Sequence, residues 1–468
     1  MAAHRPRLPR RGSVMALALL LAMVPVAASA DVLVDNVDGL TLDAQGRVER
    51  FTGLLVGDDG RIEQVLHRGE KRPGKVDYLV DGKGRVLIPG LIDSHVRLMD
   101  LGFSLFTRAP VDPARADAAR PGQPRPEDRD QALAEAQQAL LARGVTTVAD
   151  MGTTIEDWQS YRRAGDLGTL RLRIVAYAAG VDAMVLIGGP GPTPWLYADR
   201  LRLSGLYLAL DGALASRAAA LKAPYADAPT LRPALRLNET QLKNLMSRAA
   251  MDGFQVAVDA HGDKAVAGVL DAIGELAETY KGERRWRIEG AEAIDPADLA
   301  RIAASGAIFA LQPQALSAAE AEARLGPARL AGVQAWKSLA DAGGKGLAFG
   351  SGAPDRAADP LAGMATAITR QDAAGQPFGG WQAQERLTRE AALAAYTTEA
   401  ARAAFAEGRI GRLAKGQRAD FLLVDADPLL ASPTDLRGIR VLQTWVGGTL
   451  AWQVGNAAAK PAEEQAGR

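Results

Sequence analysis

The stretch VDGKGRVLIPGLIDSHVRL, residues 80–98, is where the character of the sequence changes. Before it, from residue 31, short runs of alternating apolar and polar residues are separated by Asp-Gly and Gly-Lys-Gly turns, which is typical of small antiparallel sheets. After it, apolar runs alternate with segments rich in alanine and leucine. Strand followed by helix, repeated, predicts a parallel sheet with right-handed crossovers. The stretch therefore joins a β unit to an α/β unit.

The α/β unit is long enough to close into a barrel. Its strand candidates are VLIPGLIDS, GVTTVADM, LRIVAYA, FQVAVDA, WRIEGAEA, AIFALQPQ and GLAFGSG, and its helix candidates are EDRDQALAEAQQALLARG, ETQLKNLMSRAAMDG, DKAVAGVLDAIGELAETY and DPADLARIAASG. Two segments rich in proline and in alanine or glycine, 109–126 and 188–196, are predicted loops at the barrel mouth. The strands ADFLLVDADP and RVLQTWVGGTLAWQV near the end of the chain are expected to complete the N-terminal β unit.

The sequence thus predicts an α/β protein, a closed parallel barrel with a small β unit built from both chain ends. The expected division is 1–30 signal peptide, 31–86 first part of the β unit, 87–405 barrel, 406–455 second part of the β unit, and 456–468 disordered tail.

The first thirty residues have the three parts of a secretory signal peptide. Four arginines precede the short apolar run VMALALLLAMVPVA, which ends at the small residues Ala28, Ser29 and Ala30. The run is short for a membrane span, so we expect cleavage after Ala30, a periplasmic or secreted protein and no stable membrane anchor. The pair Arg10-Arg11 leaves the general and the twin-arginine export routes open.

The amino-acid composition limits the partners and the catalytic groups that this chain can use. Basic and acidic side chains balance at 55 each, so no excess of positive charge indicates a nucleic-acid partner. The chain has no cysteine, which excludes disulfides, thiol nucleophiles and thiolate ligands. Any metal site must use histidines and carboxylates. Beyond residue 30 the histidines are His67, His95 and His261.

Five motifs carry a resemblance: VDGKGRVLIPGLIDSHVRL at 80–98, ARGVTTVADMG at 142–152, DGALASRAAALKAPYAD at 211–227, RRWRIEGAEAIDPADLARIAASGAIFALQPQAL at 284–316, and LTREAALAAYTTEAARAAFAEGRIGRLAKGQRADFLLVDADPL at 387–429. In order and spacing they resemble the amidohydrolase superfamily, and more narrowly the branch that contains N-substituted formamide deformylases. The resemblance implies an α/β fold, a (β/α)8 TIM-like barrel with a small β-sandwich built from both chain ends (31–86 and 406–455). It also implies hydrolysis of amide or formamide C–N bonds by a divalent metal, commonly zinc, that activates water.

The family's metal ligands carry over to this sequence poorly. His95 matches the first histidine of the His-x-His pair, but the second falls on Arg97, which has no lone pair to donate. The remaining ligand positions fall on Asp259, Gly290 and Gly352, and the bridging lysine falls on Tyr207. The expected metal site is therefore changed at most of its positions.

Two interpretations of these residues stay open. In one, His95, Asp259 and His261, with or without Asp355 as a further ligand, form a rearranged site for zinc or iron. In the other, no metal is bound and His261 belongs to the start of the following helix, with Asp263 in its first turn. The candidate metal ligands are thus His95, His261 and Asp259, and the candidate catalytic residues are Asp259, Asp355 and Arg97.

Arg97 carries its own pair of alternatives. It is expected either to replace the metal's charge, paired with Asp259, Glu289 or Asp211, or to extend its guanidinium to solvent. Two function classes follow, a hydrolase of non-peptide C–N bonds and an inactive relative that binds a small anionic ligand or a partner through Arg97. Both have a small-molecule ligand, and the sequence leaves substrate and oligomeric state undetermined.

Overall fold

The computed structural model describes residues 31–108, 124–315, 317–343 and 346–455. Strands from both chain ends form one seven-stranded mixed sheet in the order β15-β14-β13-β4-β1-β2-β3. Its strands are β1 Val32–Leu42, β2 Val48–Val56, β3 Ile62–Leu66, β4 Tyr78–Pro89, β13 Phe421–Val424, β14 Val441–Val446 and β15 Thr449–Gln453. Within this sheet β1 and β4 are parallel and the other neighbours are antiparallel.

Eight parallel strands follow one another around the barrel in chain order. They are β5 Leu91–Val96, β6 Val145–Thr153, β7 Arg173–Ala179, β8 Leu201–Ala209, β9 Gln255–Ala260, β10 Arg287–Gly290, β11 Ile308–Leu311 and β12 Leu347–Phe349. A parallel bridge between Val96 and Ala353 links β5 to the segment after β12. The predicted fold class, a barrel accompanied by a sheet from both chain ends, is confirmed.

Helices separate most of the barrel strands. Those of the described residues are α1 Leu98–Arg108, α2 Pro126–Ala142, α3 Ile155–Asp166, α4 Val181–Gly188, α5 Glu239–Met251, α6 Asp263–Thr279, α7 Leu299–Ser305, α8 Ala318–Leu325, α9 Trp336–Gly343, α10 Pro360–Thr369, α11 Arg389–Ala395, α12 Thr398–Ala403 and α13 Pro433–Gly438. In the described part of the chain, none of these is long and apolar enough to cross a bilayer.

The core has an inner and an outer layer. Inside the barrel, Ile92, Val175, Tyr177, Ala257 and Ile308 pack together with the alanines of α12, which covers the amino ends of the strands. We call that end the floor and the opposite end, where the strands reach their carboxyl ends, the mouth. Active sites of this architecture are built at the mouth.

One of the two predicted mouth loops lies at the opposite end of the barrel. The segment 188–196 connects α4 to β8, so it lies at the floor and not, as predicted, at the mouth. The reason is that a chain returning from a helix enters its next strand at the amino end. The predicted mouth loop at 109–126 lies mostly outside the described residues, as do the signal peptide at 1–30 and the tail at 456–468.

Buried ion pairs fix the sheet to the barrel floor. Arg173 on β7 makes two hydrogen bonds to Asp420, which precedes β13, and both side chains are almost fully buried. Asp199 accepts hydrogen bonds from Arg61, Arg409 and Arg418, which belong to the sheet or to the segment leading to it. Bidentate, desolvated pairs of this kind define one geometry between the two units.

Candidate functional site

At the mouth, the end of β5 carries His95, whose backbone N–H is hydrogen-bonded to the side chain of Asp93. Asp93 Oδ1 accepts hydrogen bonds from the backbone N–H groups of His95, at 3.1 Å, and of Ser351, at 2.9 Å. Asp93 therefore joins β5 to the segment after β12. Its burial raises the pKa of the carboxyl above its ordinary value.

His95 is bound to a buried ion pair. Its Nδ1 donates to Glu289 Oε2 at 2.9 Å, and Glu289 Oε1 accepts from Arg287 Nε at 2.7 Å. Arg287 also donates to the Tyr177 hydroxyl and the Ser94 carbonyl. Burial would lower the pKa of Arg287, but the Glu289 carboxylate beside it raises that pKa above its ordinary value. Both carboxylate oxygens of Glu289 therefore already accept hydrogen bonds.

A second pair lies where β9 ends. His261 Nε2 is 3.0 Å from Asp259 Oδ1, and the Tyr207 hydroxyl donates to Asp259 Oδ2 at 3.0 Å. Burial opposes ionisation of Asp259, but the neighbouring His261 lowers its pKa to about 2. The same carboxylate outweighs burial and raises the pKa of His261 well above its usual range. Each side chain therefore favours the charged form of the other.

Two further carboxylates hold the segment that follows β8. Glu292 accepts from the Leu214 N–H at 2.7 Å and lies 3.6 Å from His261 Nδ1. Asp211 accepts from the N–H groups of Ala220 and His261, both at 2.8 Å. These contacts place His261 just past its strand with the imidazole turned into the mouth.

Arg97 lies outside this network. Its Nη2 atom is 3.1 Å from Asp355 Oδ2, and its Nε atom is 3.4 Å from Asp100 Oδ2. The Arg97 side chain is 41% exposed and that of Asp355 is 70% exposed. The predicted pairing of Arg97 with Asp259, Glu289 or Asp211 is therefore wrong, because β5 ends at Val96 and the long side chain that follows reaches the rim. The alternative expectation, a guanidinium extended to solvent, describes the geometry.

Two glycines stand where the resemblance places metal ligands. Gly290 has φ +84°, and a Cβ built on it would lie 2.7 Å from His261 Nδ1. The imidazole of His261 thus fills the space that a side chain at 290 would enter. Gly352 has φ +71°, and a Cβ there would meet Gln312 at 3.3 Å.

These residues do not fit the zinc site that the resemblance implies. A zinc site of this type needs three protein ligands around one point, and the described ranges contain no group of three or more His, Asp or Glu side chains placed to hold a metal ion. His95 uses Nδ1 on Glu289, and His261 directs Nε2 at Asp259. Two of the three candidate donors, Asp259 and His261, are therefore paired with each other.

Sequence reasoning located part of this arrangement. His95, Asp259 and His261 lie at the mouth, whereas Asp355 lies at the rim with Arg97. The roles of Glu292 and Arg287 were missed. A signal was available, because Arg287 and Glu289 are two residues apart on one strand and therefore face the same way.

Comparisons with known proteins agree with the fold. The profile of the amidohydrolase family matches residues 105–451. Protein LONG AFTER FAR-RED 3 of Arabidopsis thaliana is 31% identical over 342 residues, 69% of this chain and 57% of that protein. N-substituted formamide deformylase of Arthrobacter pascens is 26% identical over 330 residues, 67% of this chain and 58% of that enzyme. The chain thus spans a little over half the length of these two relatives.

A solved structure supports the architecture. The crystal structure of an uncharacterized metal-dependent hydrolase from Pyrococcus horikoshii OT3 superposes with a TM-score of 0.72 at 21% identity, covering 86% of this chain and 99% of that one. Since the family profile spans most of the barrel and the C-terminal strands, the chain belongs to the amidohydrolase family.

Proposed function

We propose that this chain binds a small carboxylate-bearing molecule at the barrel mouth and does not hydrolyse it through a bound metal. The observation that carries the proposal is that the candidate ligands are already paired, His261 with Asp259 and His95 with Glu289. Breaking a buried pair leaves an uncompensated charge and costs about 3–5 kcal/mol. Binding a metal through Asp259 and the Nε2 atom of His261 would carry that cost, whereas the Nε2 atom of His95 is not part of its pair with Glu289.

Arg97 supplies the anion contact in this proposal. It pairs with Asp355 and Asp100, both more than half exposed. Exposed pairs contribute only about 0–1 kcal/mol, so a ligand carboxylate can displace them at little cost. Guanidinium groups bind carboxylates through two parallel hydrogen bonds.

A second candidate function is hydrolysis of an amide or formamide C–N bond at a zinc site made by His95, His261 and Asp259. One observation favours it: the ends of β5 and β9 bring these side chains to the same mouth, since Tyr207 contacts both the Asp259 carboxylate and the edge of the His95 ring. The similarity to the deformylase points to formamides as the substrate class. In this candidate Asp355 is the general base, since Asp259 is a metal ligand.

N-formyl amino acids separate the two candidates because they carry both a carboxylate and a formamide. We expect calorimetry to show binding that is lost in Arg97→Met and kept in Arg440→Met, a control for an exposed arginine paired elsewhere with Asp425. We expect no formate release above background, with or without added zinc. Zinc-dependent formate release that His261→Ala abolishes would instead establish the hydrolase, and binding that Arg97→Met leaves intact would refute the anion contact.

We also propose that the protein works in the periplasm or outside the cell, without a nucleic-acid partner or a stable membrane anchor. The basis is the N-terminal sequence described above. Expression of the full chain, cell fractionation and N-terminal sequencing test this, with Asp31 expected as the first residue of an exported product. Retention of the first thirty residues on a cytoplasmic product would contradict the proposal.

A further inference from the structure

The barrel floor contains an arginine that has no acidic partner among the described residues. Arg202, the second residue of β8, pairs in register with Val175, whose side chain belongs to the inner core. Its guanidinium lies 5.9 Å from the centre of the Trp195 ring, and Arg409 lies 6.0 Å from the same ring. Arg202 is five residues before Tyr207, so this cluster is about 17 Å along the strand from the mouth.

Two donors in the cluster have no acceptor. Arg202 Nε and Trp195 Nε1 are both buried, and neither makes a hydrogen bond with any residue of the described ranges. Leaving a buried donor unpaired costs about 1–3 kcal/mol, and more for a charged group. Buried polar groups without a protein partner commonly mark a bound water or ion.

The nearby carboxylates of the described residues are paired with other arginines and do not compensate the charge of Arg202. Asp199 is shared by Arg61, Arg409 and Arg418, and Asp420 is taken by Arg173. Within the part of the chain that the structure describes, these arginines and Arg202 therefore outnumber the carboxylates that they contact, Asp59, Asp199 and Asp420. Burial lowers the pKa of Arg202, and the positive charge of Arg409 lowers it further, although Tyr177 opposes this.

We propose that the floor binds a small oxyanion, a free phosphate or the carboxylate of a small molecule, between Arg202, Trp195 and Arg409. An oxyanion presents several acceptor lone pairs, which two guanidinium groups and an indole N–H can satisfy together. A water molecule would accept fewer of these bonds and would leave the excess positive charge uncompensated. The site is separate from the mouth and does not depend on the function proposed there.

The test is calorimetric titration of the full chain with inorganic phosphate and, separately, with acetate, at constant ionic strength. Loss of one charge-assisted contact is worth more than about 1.5 kcal/mol, so Arg202→Met should weaken binding at least about tenfold. Trp195→Phe keeps the ring but removes the N–H donor, and should weaken binding about three- to tenfold.

Two controls locate the site. Arg171→Met removes an exposed arginine that likewise has no ion pair with the described residues, and Arg97→Met removes the cation at the mouth; both should bind as wild type does. Binding of phosphate alone or of acetate alone identifies the source of the anion. The proposal is wrong if neither phosphate nor acetate binds. It is also wrong if the affinity falls in Arg97→Met and not in the floor variants. Should Arg202→Met fail to fold, the affinity of Trp195→Phe decides between these outcomes.

Discussion

At the scale of single residues, the sequence predicts the chemistry of Arg97 but not its ion-pair partner. That an arginine at this position cannot be a metal ligand follows from its chemistry alone. Its partner does not follow, because Asp355 is 258 residues away and meets Arg97 only through the loop after β12. His95 was predictable from its motif. Its bond to Glu289 required knowing that β5 and β10 face each other across the mouth.

The exposed pair at the rim gives a prediction about affinity. Asp355 competes with a ligand carboxylate for Arg97, so Asp355→Asn should tighten binding of an N-formyl amino acid. An exposed pair is worth up to about 1 kcal/mol, which corresponds to an increase in affinity of up to about fivefold. Calorimetry measures the change, and weaker binding in Asp355→Asn would mean that Asp355 itself contacts the ligand.

Asp150 gives a prediction about pH. This carboxyl accepts hydrogen bonds from the Leu98 N–H, Thr153 and Tyr161, and burial raises its pKa to about 6. The folded state therefore keeps a proton that the unfolded chain releases near pH 4, so the free energy of unfolding should fall as pH rises from about 4 to 6. A shift of this size is worth about 3 kcal/mol.

The matched variant for this pH dependence is Asp150→Asn, which stays neutral and keeps an acceptor for the Leu98 N–H. Urea unfolding at several pH values should show a smaller decline in stability for the variant than for wild type across that interval. Equal slopes would show that Asp150 titrates with an unperturbed pKa.

At the scale of secondary structure, periodicity identified seven of the eight barrel strands. It missed β8, because Arg202, Ser204 and Gly205 interrupt the apolar run. The structure explains the glycine: a Cβ at 205 would collide with the backbone carbonyl of Gln255 on β9. Close approach of neighbouring strands is a tertiary requirement, and local sequence patterns do not express it.

The close contact between α1 and α2 allows a prediction about stability. A Cβ at Gly102 would collide with the Ala132 carbonyl, a backbone atom that cannot move aside cheaply. Gly102→Ala should therefore destabilise the protein by about 1–3 kcal/mol. Gly274→Ala on α6 is the control, since nothing lies within 4 Å of its Cβ position, and it should stabilise by about 0.5–1 kcal/mol. Urea denaturation compares them; equal effects would mean that the crossing tolerates a methyl group.

At the scale of the whole molecule, the barrel and the mixed sheet were predictable from the order of patterns along the chain. Their attachment was not, because it depends on arginines and carboxylates far apart in sequence. Arg173→Met should leave Asp420 buried with one remaining backbone donor, Gly447, and cost about 3–5 kcal/mol.

The control for this attachment is Arg440→Met, which breaks an exposed pair with Asp425 and should change the free energy of unfolding by less than about 1 kcal/mol. Denaturant unfolding followed by tryptophan fluorescence measures both variants. Similar stabilities would mean that the floor ion pairs do not hold the two units together.

The central claim is that the residues that would otherwise bind metal at the mouth of this amidohydrolase-family barrel are held in ion pairs instead, His261 with Asp259 and His95 with Glu289. Elemental analysis tests it most directly, on the mature protein purified without chelator from cells supplied with zinc, manganese and iron. We predict a folded protein with much less than one equivalent of metal, unchanged in His261→Ala. Near one equivalent of bound metal, lost in His261→Ala, would contradict the claim and establish a rearranged hydrolase site.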